Sequence, residues 1–210
     1  MPLLETMDWT DAPEFWVIEM SSYQTYEAVS PEVAVMLNFF PEHLDWHGSE
    51  AAYFADKSAL ITRCGARHAV LNASFAPVAA LAGNAPHAVH WFNSDSAWHA
   101  REHTLYFGAE AVMDLRELPM PGQHNASNVC AALTAIDALG LDAKALAAAA
   151  KQFQPLPHRL QALGTSNGIR YVNDSISTTP YASMAALECF SHDAVALLVG
   201  GFDRGLSWDD

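Results

Sequence analysis

Short apolar runs alternate with longer amphipathic segments through the first half of the chain. Three runs of β-branched and aromatic residues, each followed by polar residues, predict buried parallel strands at 15–20, 33–39 and 68–72. Two segments with helical spacing lie at 49–63 and 75–82, and Ser49 is a suitable N-cap for the first. This alternation predicts an α/β fold with a doubly wound, mostly parallel sheet.

The pattern changes after residue 90. Brief β-rich pieces up to residue 115 indicate a small antiparallel excursion. Two helices are predicted next, at 125–139 and 142–153, with Gly140 as the C-cap of the first. Pro155 and Pro157 then interrupt helical continuation, so we predict a domain boundary there and a division into 1–154 and 155–210.

The second predicted domain begins with a β-pair, 160–163 and 169–172, around Asn167-Gly168. A helix after Pro180 and a strand at 194–199 follow. One strand pair, one helix and one further strand make a poor independent domain, so we expect this domain to continue beyond Asp210.

Composition narrows the class of protein. The chain of 210 residues has 10 Lys and Arg against 24 Asp and Glu, a formal net charge of -14, which makes nucleic acid an unexpected partner. Its three cysteines lack the spacing of a disulfide framework or a zinc ribbon. No basic n-region and no long apolar stretch suggest secretion or a membrane span, so a cytoplasmic protein is expected.

Several polar residues follow predicted strands, where open α/β sheets place their ligand-binding groups. Glu19 and His43 could ligate a metal there, or could serve as a helix cap and a loop histidine. His43 and His47 form an i, i+4 pair that leaves a zinc hydrolase built on Glu19, His43 and His47 as an alternative. Lys57 lies one helical turn after Tyr53 on the same predicted face.

Later polar groups suggest a nucleotide site. Asn125 and Asn128 are three apart at a helix start, where they could face a base or sugar, although Asn125 could instead be the N-cap. Arg159 follows a stiff Pro-Leu-Pro-His segment and could meet a phosphate. Asp174, just past a strand, could accept hydrogen bonds from a ribose.

Seven ordered strings spanning nearly the whole chain resemble the Mur ligases, which are ATP-dependent amide-forming enzymes, and are most similar to the branch that adds glutamate to UDP-N-acetylmuramoyl-L-alanine. The strings are "IEMSSYQ" from Ile18, "LNFFPEHLDWHGS" from Leu37, "YFADKSALI" from Tyr53, "GQHNASNVCAAL" from Gly122, "PLPHR" from Pro155, "VNDSISTTP" from Val172 and "GGFDRG" from Gly200. The resemblance implies a partial central ATP-binding domain at 1–154 and the start of a Rossmann-like, glutamate-binding domain at 155–210.

The resemblance also implies a role for each matching residue. Mg²⁺ would be held by Glu19, His43 and a carbamylated Lys57, of which His43 and Lys57 are also expected to be catalytic. ATP would be held by Asn125 and Asn128 at the adenine, Arg159 at the phosphates and Asp174 at the ribose. The substrates would be held by Ser21, Ser22, Thr178 and Arg204.

The implied reaction begins when the substrate carboxylate attacks the γ-phosphate of ATP, giving an acyl phosphate. The glutamate amine then attacks that acyl phosphate, with Mg²⁺ stabilising charge in both steps. Closure of the second domain would exclude water. The complete enzyme is expected to be a monomer that serves peptidoglycan synthesis, cell wall biogenesis, cell shape and cell division.

Two departures from the family qualify the resemblance. No GxxxxGK[ST] phosphate loop occurs in the sequence, so we expect these 210 residues alone to be inactive, and a non-catalytic nucleotide- or glutamate-binding module is the alternative. The glutamate branch usually has lysine where this chain has Ile176, and Arg204 stands where another lysine is common. These exchanges would move the carboxylates of the incoming amino acid, so the pocket could take L-glutamate in place of D-glutamate. The string "NDSISTTP" also resembles the L-glutamate-adding variant of the family, with D-glutamate left open as the alternative.

Overall fold

The first part of the chain folds into a six-stranded sheet. A computed structural model describes residues 13–85 and 88–201. The strands are β1 Val33–Met36, β2 His68–Asn72, β3 Ala88–Phe92, β4 Trp98–Arg101, β5 Thr104–Phe107 and β6 Glu110–Asp114. They lie side by side in chain order, with β1 to β4 parallel and β4 to β6 antiparallel. The predicted α/β class and the antiparallel excursion are both confirmed.

Six α-helices accompany the strands in the described residues. They are α1 Leu44–His47, α2 Glu50–Thr62, α3 Ala76–Ala79, α4 Gln123–Ala138, α5 Ala143–Leu146 and α6 Pro180–Glu188. The Ser49 hydroxyl caps α2 by accepting the Ala52 N–H, as predicted. Gly140, with φ of 75°, lies just beyond the end of α4, where the left-handed conformation suits glycine.

Both faces of the parallel strands are covered. On one face α4 packs over β1 to β4, and Val70, Phe92 and Cys130 are fully buried there. On the other face Leu71 packs in a second cluster with residues of α2 and α3. The neighbouring residues Val70 and Leu71 point to opposite faces of β2, and both faces are covered. Successive residues of this strand must therefore be apolar, whereas a strand with one exposed face would alternate apolar and polar residues.

A separate antiparallel hairpin follows the sheet. Its strands are β7 Gln161–Ser166 and β8 Ile169–Asn173. The turn residues Asn167 and Gly168 have φ of 51° and 77°, the left-handed conformation that an Asn-Gly hairpin turn requires. The predicted hairpin is therefore confirmed, whereas the domain division at residue 155 stays a prediction.

Two predicted strands are wrong, and one predicted helix is only partly α-helical. Residues 15–20 and 194–199 are not strands, and their apolar side chains are largely exposed, as Val17 and Leu198 illustrate at 99% and 96%. A strand needs a neighbour to satisfy its backbone groups, and apolar composition alone cannot supply one. The helix predicted at 142–153 is α-helical only over α5 and continues as a 3₁₀-helix, Ala147–Gln152.

The helices of the described residues are all too short or too polar to cross a bilayer.

Candidate active site

Lys57 lies at the centre of one group of charged residues. It is half-buried on α2, and burial lowers the pKa of its ammonium, while the carboxylates of Glu42 and Glu19 act in the opposite direction. Both carboxylates are therefore close enough to Lys57 to act on its charge. We call Glu19, Glu42, His43 and Lys57 the lysine side of the site.

Aromatic rings line the lysine side. The Lys57 ammonium lies 5.4 Å from the centre of the Tyr53 ring. Burial, and secondly the nearby Glu42 charge, raises the pKa of the Tyr53 phenol to about 12. Tyr53 is therefore neutral over the whole physiological range and serves as a packing surface for the lysine.

His43 occupies a strained turn just before α1. Its φ of 57° is in the left-handed region, its Nε2 lies 3.8 Å from a Glu42 carboxylate oxygen, and its ring centre lies 5.0 Å from that of Tyr23. Glu42 also accepts a hydrogen bond from the Thr178 hydroxyl at 3.0 Å. Sequence reasoning missed Glu42, although its position beside His43 after a strand was a usable signal.

The donor types of the lysine side are compatible with a magnesium ion. Within 13–85 and 88–201, no three His, Cys, Asp or Glu side chains are arranged as a metal-binding group. The set implied for Mg²⁺ contains only two residues of those types, Glu19 and His43, together with Lys57. Because Mg²⁺ in nucleotide enzymes keeps several waters and is held by one or two carboxylates plus phosphate oxygens, such a sparse set is sufficient.

Both ring nitrogens of His47 contact other side chains. Its Nδ1 lies 2.7 Å from a carboxylate oxygen of Asp56, and its Nε2 lies 3.0 Å from the Ser22 hydroxyl. Both ring nitrogens are thus occupied by protein groups, which argues against the zinc alternative that needs His47 as a ligand. The neighbouring Ser21 is exposed and its hydroxyl contacts the Gln24 side chain.

The residues predicted to bind ATP form a second group, and we call Asn125, Asn128, Arg159 and Asp174 the nucleotide side. Gly122 is the N-cap of α4, so the N-cap alternative for Asn125 is wrong. The buried Asn125 amide instead donates to the Pro121 carbonyl at 2.6 Å. Asn128 and Arg159 are exposed.

Asp174 ties two turns together. Its carboxylate accepts the Leu160 backbone N–H at 2.9 Å and the Ser177 hydroxyl at 2.5 Å. Burial lowers the pKa of His124 on α4, with Asp174 and Glu188 opposing that shift and Arg159 adding to it. The charges of Asp174 and Arg159 therefore act at the start of α4.

A polar network missed from the sequence lies beside α4. The Asn93 side-chain amide nitrogen lies 3.0 Å from the side-chain oxygen Oδ1 of Asn72 and 2.7 Å from the Ser127 hydroxyl. Asn72 and Asn93 each end or follow a strand, which is the position that could have identified them. The network joins the carboxyl ends of β2 and β3 to the first turns of α4.

The structure gives contacts for some of the residues predicted to bind the substrates. Thr178 contacts the lysine side through Glu42, and Ser22 contacts His47. Arg204 lies outside the described residues. Ile176 is exposed, and its backbone N–H donates to the His158 carbonyl at 3.2 Å.

Comparisons with known proteins identify the family of this chain. A profile of the Mur ligase middle domain matches residues 3–136. The UDP-N-acetylmuramoyl-L-alanine--L-glutamate ligase of Xanthomonas campestris pv. campestris (strain 8004) is 55% identical over 214 residues, covering 100% of this chain and 45% of that protein. The chain thus spans about half the length of the curated relatives it matches.

Solved structures share the fold. MurF from Acinetobacter baumannii matches with a TM-score of 0.66 and 21% identity, over 82% of this chain and 40% of that one. A MurF ligase from Thermotoga maritima, solved in complex with ADP, matches with a TM-score of 0.54 and 17% identity, over 76% and 39%. At these identities the likeness concerns the fold alone.

Proposed function

This chain belongs to the Mur ligase family, as its sequence resemblance predicted, and we propose that it is part of an ATP-dependent ligase joining L-glutamate to UDP-N-acetylmuramoyl-L-alanine. The observation that carries the proposal is 55% identity along the whole chain to a relative of that name. Its product would be a peptidoglycan precursor.

The two sides of the site would bind different groups, the metal ion on the lysine side and the nucleotide on the other. On the lysine side, Glu19, His43 and Lys57 would hold Mg²⁺, with Lys57 as a carbamate that offers oxygen to a hard cation. When bound, Mg²⁺ would neutralise the charge of the reacting phosphate. On the nucleotide side, Asn125 and Asn128 would contact the adenine.

Arg159 and Asp174 would complete the ATP site. The exposed Arg159 guanidinium is free of the desolvation that burial imposes and can form paired hydrogen bonds with phosphate oxygens. Asp174 already accepts two hydrogen bonds, yet a carboxylate has about four acceptor positions, so ribose hydroxyls can still donate to it. The complex of a family member with ADP is in keeping with this role.

The reaction joins the substrate carboxylate to the glutamate amine. The carboxylate attacks the γ-phosphate and ADP leaves. The amine then attacks the acyl phosphate, inorganic phosphate leaves, and the nitrogen loses a proton as the amide forms. Ser21, Thr178 and Arg204 would position the two substrates, and Thr178 would do so from a hydrogen bond with Glu42.

We propose L-glutamate as the amino acid. The curated relatives are named for L-glutamate. In this chain Ile176 replaces the lysine usual in the glutamate branch, so an ammonium that could fix one carboxylate is absent at that position. We further propose that the complete protein is a cytoplasmic monomer, in keeping with its three free cysteines.

The test is a substrate-dependent assay of the complete protein that carries this sequence. We expect ADP release only when UDP-N-acetylmuramoyl-L-alanine, Mg²⁺ and L-glutamate are all present. The 210-residue chain alone serves as the control and should show no turnover. Equal or greater turnover with D-glutamate would overturn the stereochemical assignment, and nucleotide binding without turnover would favour a non-catalytic module.

A further inference from the structure

Three buried or half-buried polar side chains form a line beside the lysine side. Ser22 Oγ lies 3.0 Å from His47 Nε2, and His47 Nδ1 lies 2.7 Å from Asp56 Oδ2. The three residues come from different elements: the loop after residue 20, the end of α1, and the middle of α2. We call Ser22, His47 and Asp56 the buried triad.

The Asp56 carboxylate determines which ring nitrogen of His47 carries the hydrogen in their hydrogen bond. An ionised Asp56 carboxylate only accepts hydrogen bonds, so His47 Nδ1 must carry the hydrogen. In the neutral imidazole Nε2 is then an acceptor, which receives the Ser22 hydroxyl hydrogen. A single tautomer of His47 therefore satisfies the contacts at both ends of the triad.

Packing holds the His47 ring in this orientation. The side chain of His47 is 0% exposed. Tyr23 stacks on it at 5.7 Å with an interplanar angle of 5°, and Tyr53 meets it edge-on at 5.4 Å. A ring enclosed by two aromatic neighbours cannot rotate without breaking both hydrogen bonds, so the triad joins its three elements rigidly.

Each member of the buried triad lies close in sequence to a residue of the lysine side. Ser22 is three residues after Glu19, and Asp56 directly precedes Lys57. His47 closes the one-turn helix α1 that begins after the strained turn at His43. A second hydrogen bond, from the Thr25 hydroxyl to the Asp56 carbonyl at 2.8 Å, ties the same loop to α2.

We propose that the buried triad is a positioning device, which holds the Glu19 loop, the His43 turn and the Lys57 helix in the one arrangement that binds a divalent cation. This inference rests on the proposed function for the identity of the cation site. Ser22, His47 and Asp56 act through their neighbours and touch neither metal nor substrate. Ser22 thereby receives a different role from the substrate contact expected from the sequence.

A nucleophilic role for the triad is a weaker interpretation of the same geometry. Ser, His and Asp in this order also form the catalytic group of many hydrolases. Ser22, however, is only 7% exposed, and its hydroxyl oxygen lies 3.0 Å from a ring enclosed by Tyr23 and Tyr53. A substrate carbonyl would have to displace that packing to reach the oxygen.

The test measures Mn²⁺ binding to the complete protein by electron paramagnetic resonance, with Mn²⁺ as the probe for the divalent cation. We expect Ser22→Ala and His47→Ala to weaken Mn²⁺ binding by about 10- to 100-fold, the usual effect of removing groups that orient metal ligands. His47→Asn, which keeps a donor toward Asp56, should restore part of the loss. The matched controls Ser96→Ala and His103→Ala alter exposed residues and should leave binding unchanged.

The outcomes separate this inference from the proposed function. Unchanged Mn²⁺ binding in folded Ser22→Ala, or no Mn²⁺ binding by the wild-type protein, overturns the positioning role. Should His47→Ala fail to fold, Ser22→Ala decides, because it removes one oxygen only. Stoichiometric labelling of Ser22 by a fluorophosphonate also overturns it. Triad-dependent Mn²⁺ binding without glutamate-dependent ADP release would support the triad and refute the ligase.

A second measurement uses nitrogen NMR of histidine-labelled protein near neutral pH. We expect His47 Nδ1 to carry a hydrogen that is bonded to Asp56, and Asp56→Asn to shift the Nδ1 signal. A His47 ring protonated on Nε2 alone contradicts the hydrogen-bond arrangement, whatever the enzymatic result.

Discussion

The lysine side and the nucleotide side of the candidate site are built in different ways. The lysine side comes from the single stretch 19–57, and its centre is half-buried among aromatic rings, with the buried triad beside it. The nucleotide side draws on segments spread from 125 to 174 and leaves Asn128 and Arg159 exposed. The buried triad thus joins the three elements of the lysine side, whereas two of the four residues of the nucleotide side are exposed groups.

This difference predicts different responses to mutation. A residue on the lysine side should affect turnover with little effect on folding, because its neighbours are held by the triad. Asp174 on the nucleotide side joins two turns and is also the residue proposed to contact the ribose, so its loss should affect stability and binding together.

The largest effect is expected at Lys57. Lys57→Met and Lys57→Arg should each lower the rate of L-glutamate-dependent ADP release on the order of 100-fold, since neither side chain can become a carbamate. Thermal unfolding followed by circular dichroism should show little change. A Lys57→Arg variant with near wild-type turnover would mean that a cation, and not an oxygen ligand, is needed there.

The sequence predicted correctly the helix ends and the turn that depend only on adjacent residues. The Ser49 cap of α2, the glycine after α4 and the Asn-Gly hairpin turn all follow from the conformations of a few adjacent residues. The runs 15–20 and 194–199 look equally clear in sequence, yet they are not strands. A strand is defined by its neighbour, and no pattern within the run says whether one is present.

The candidate site was predictable to a similar degree. Motif resemblance supplied Glu19, His43 and Lys57, and the structure brings the two carboxylates Glu19 and Glu42 to the lysine. Motif resemblance could not identify Asp56, because its role depends on a hydrogen bond with His47, which lies nine residues away on a different helix. His47 itself was placed with His43 by spacing, whereas packing turned it toward Ser22.

The next effect is expected at Asp174. Asp174→Ala leaves the Leu160 N–H and the Ser177 hydroxyl without their acceptor, which should cost about 1.5–3 kcal/mol of stability. It should also raise the KM for ATP about tenfold, an effect of about 1.4 kcal/mol. Urea unfolding and initial-rate kinetics measure the two effects.

Arg159→Ala is the matched control for Asp174→Ala. Arg159 is exposed, so the free energy of unfolding should stay within about 0.5 kcal/mol of wild type while the KM for ATP rises. Equal losses of stability in both variants would show that the nucleotide side is as rigidly built as the lysine side.

Gly122 tests how closely α6 packs against the start of α4. A Cβ on Gly122 would lie 2.6 Å from the Cys189 sulfur and 2.7 Å from His124 Cε1, and its φ of 102° is unfavourable for any other residue. Gly122→Ala should therefore cost about 1–3 kcal/mol by urea unfolding. Gly83→Ala, where nothing lies within 4 Å of the added carbon, should change stability by no more than about 0.5 kcal/mol.

The smallest expected effect concerns the one hydrogen bond by which Thr178 reaches the lysine side. Thr178→Val removes the donor to Glu42 and keeps the shape of the side chain. The KM for L-glutamate should rise by a factor that corresponds to about 0.5–1.5 kcal/mol of binding free energy. Thr178→Ser retains the hydroxyl and should behave as wild type. Because Thr178 lies beyond the predicted boundary at residue 155, a matching change in the KM for ATP would mean that the contact fixes the whole second segment. A change confined to glutamate would mean that the lysine side receives only the amino acid through Thr178, and that the contrast between the two sides extends to their substrates.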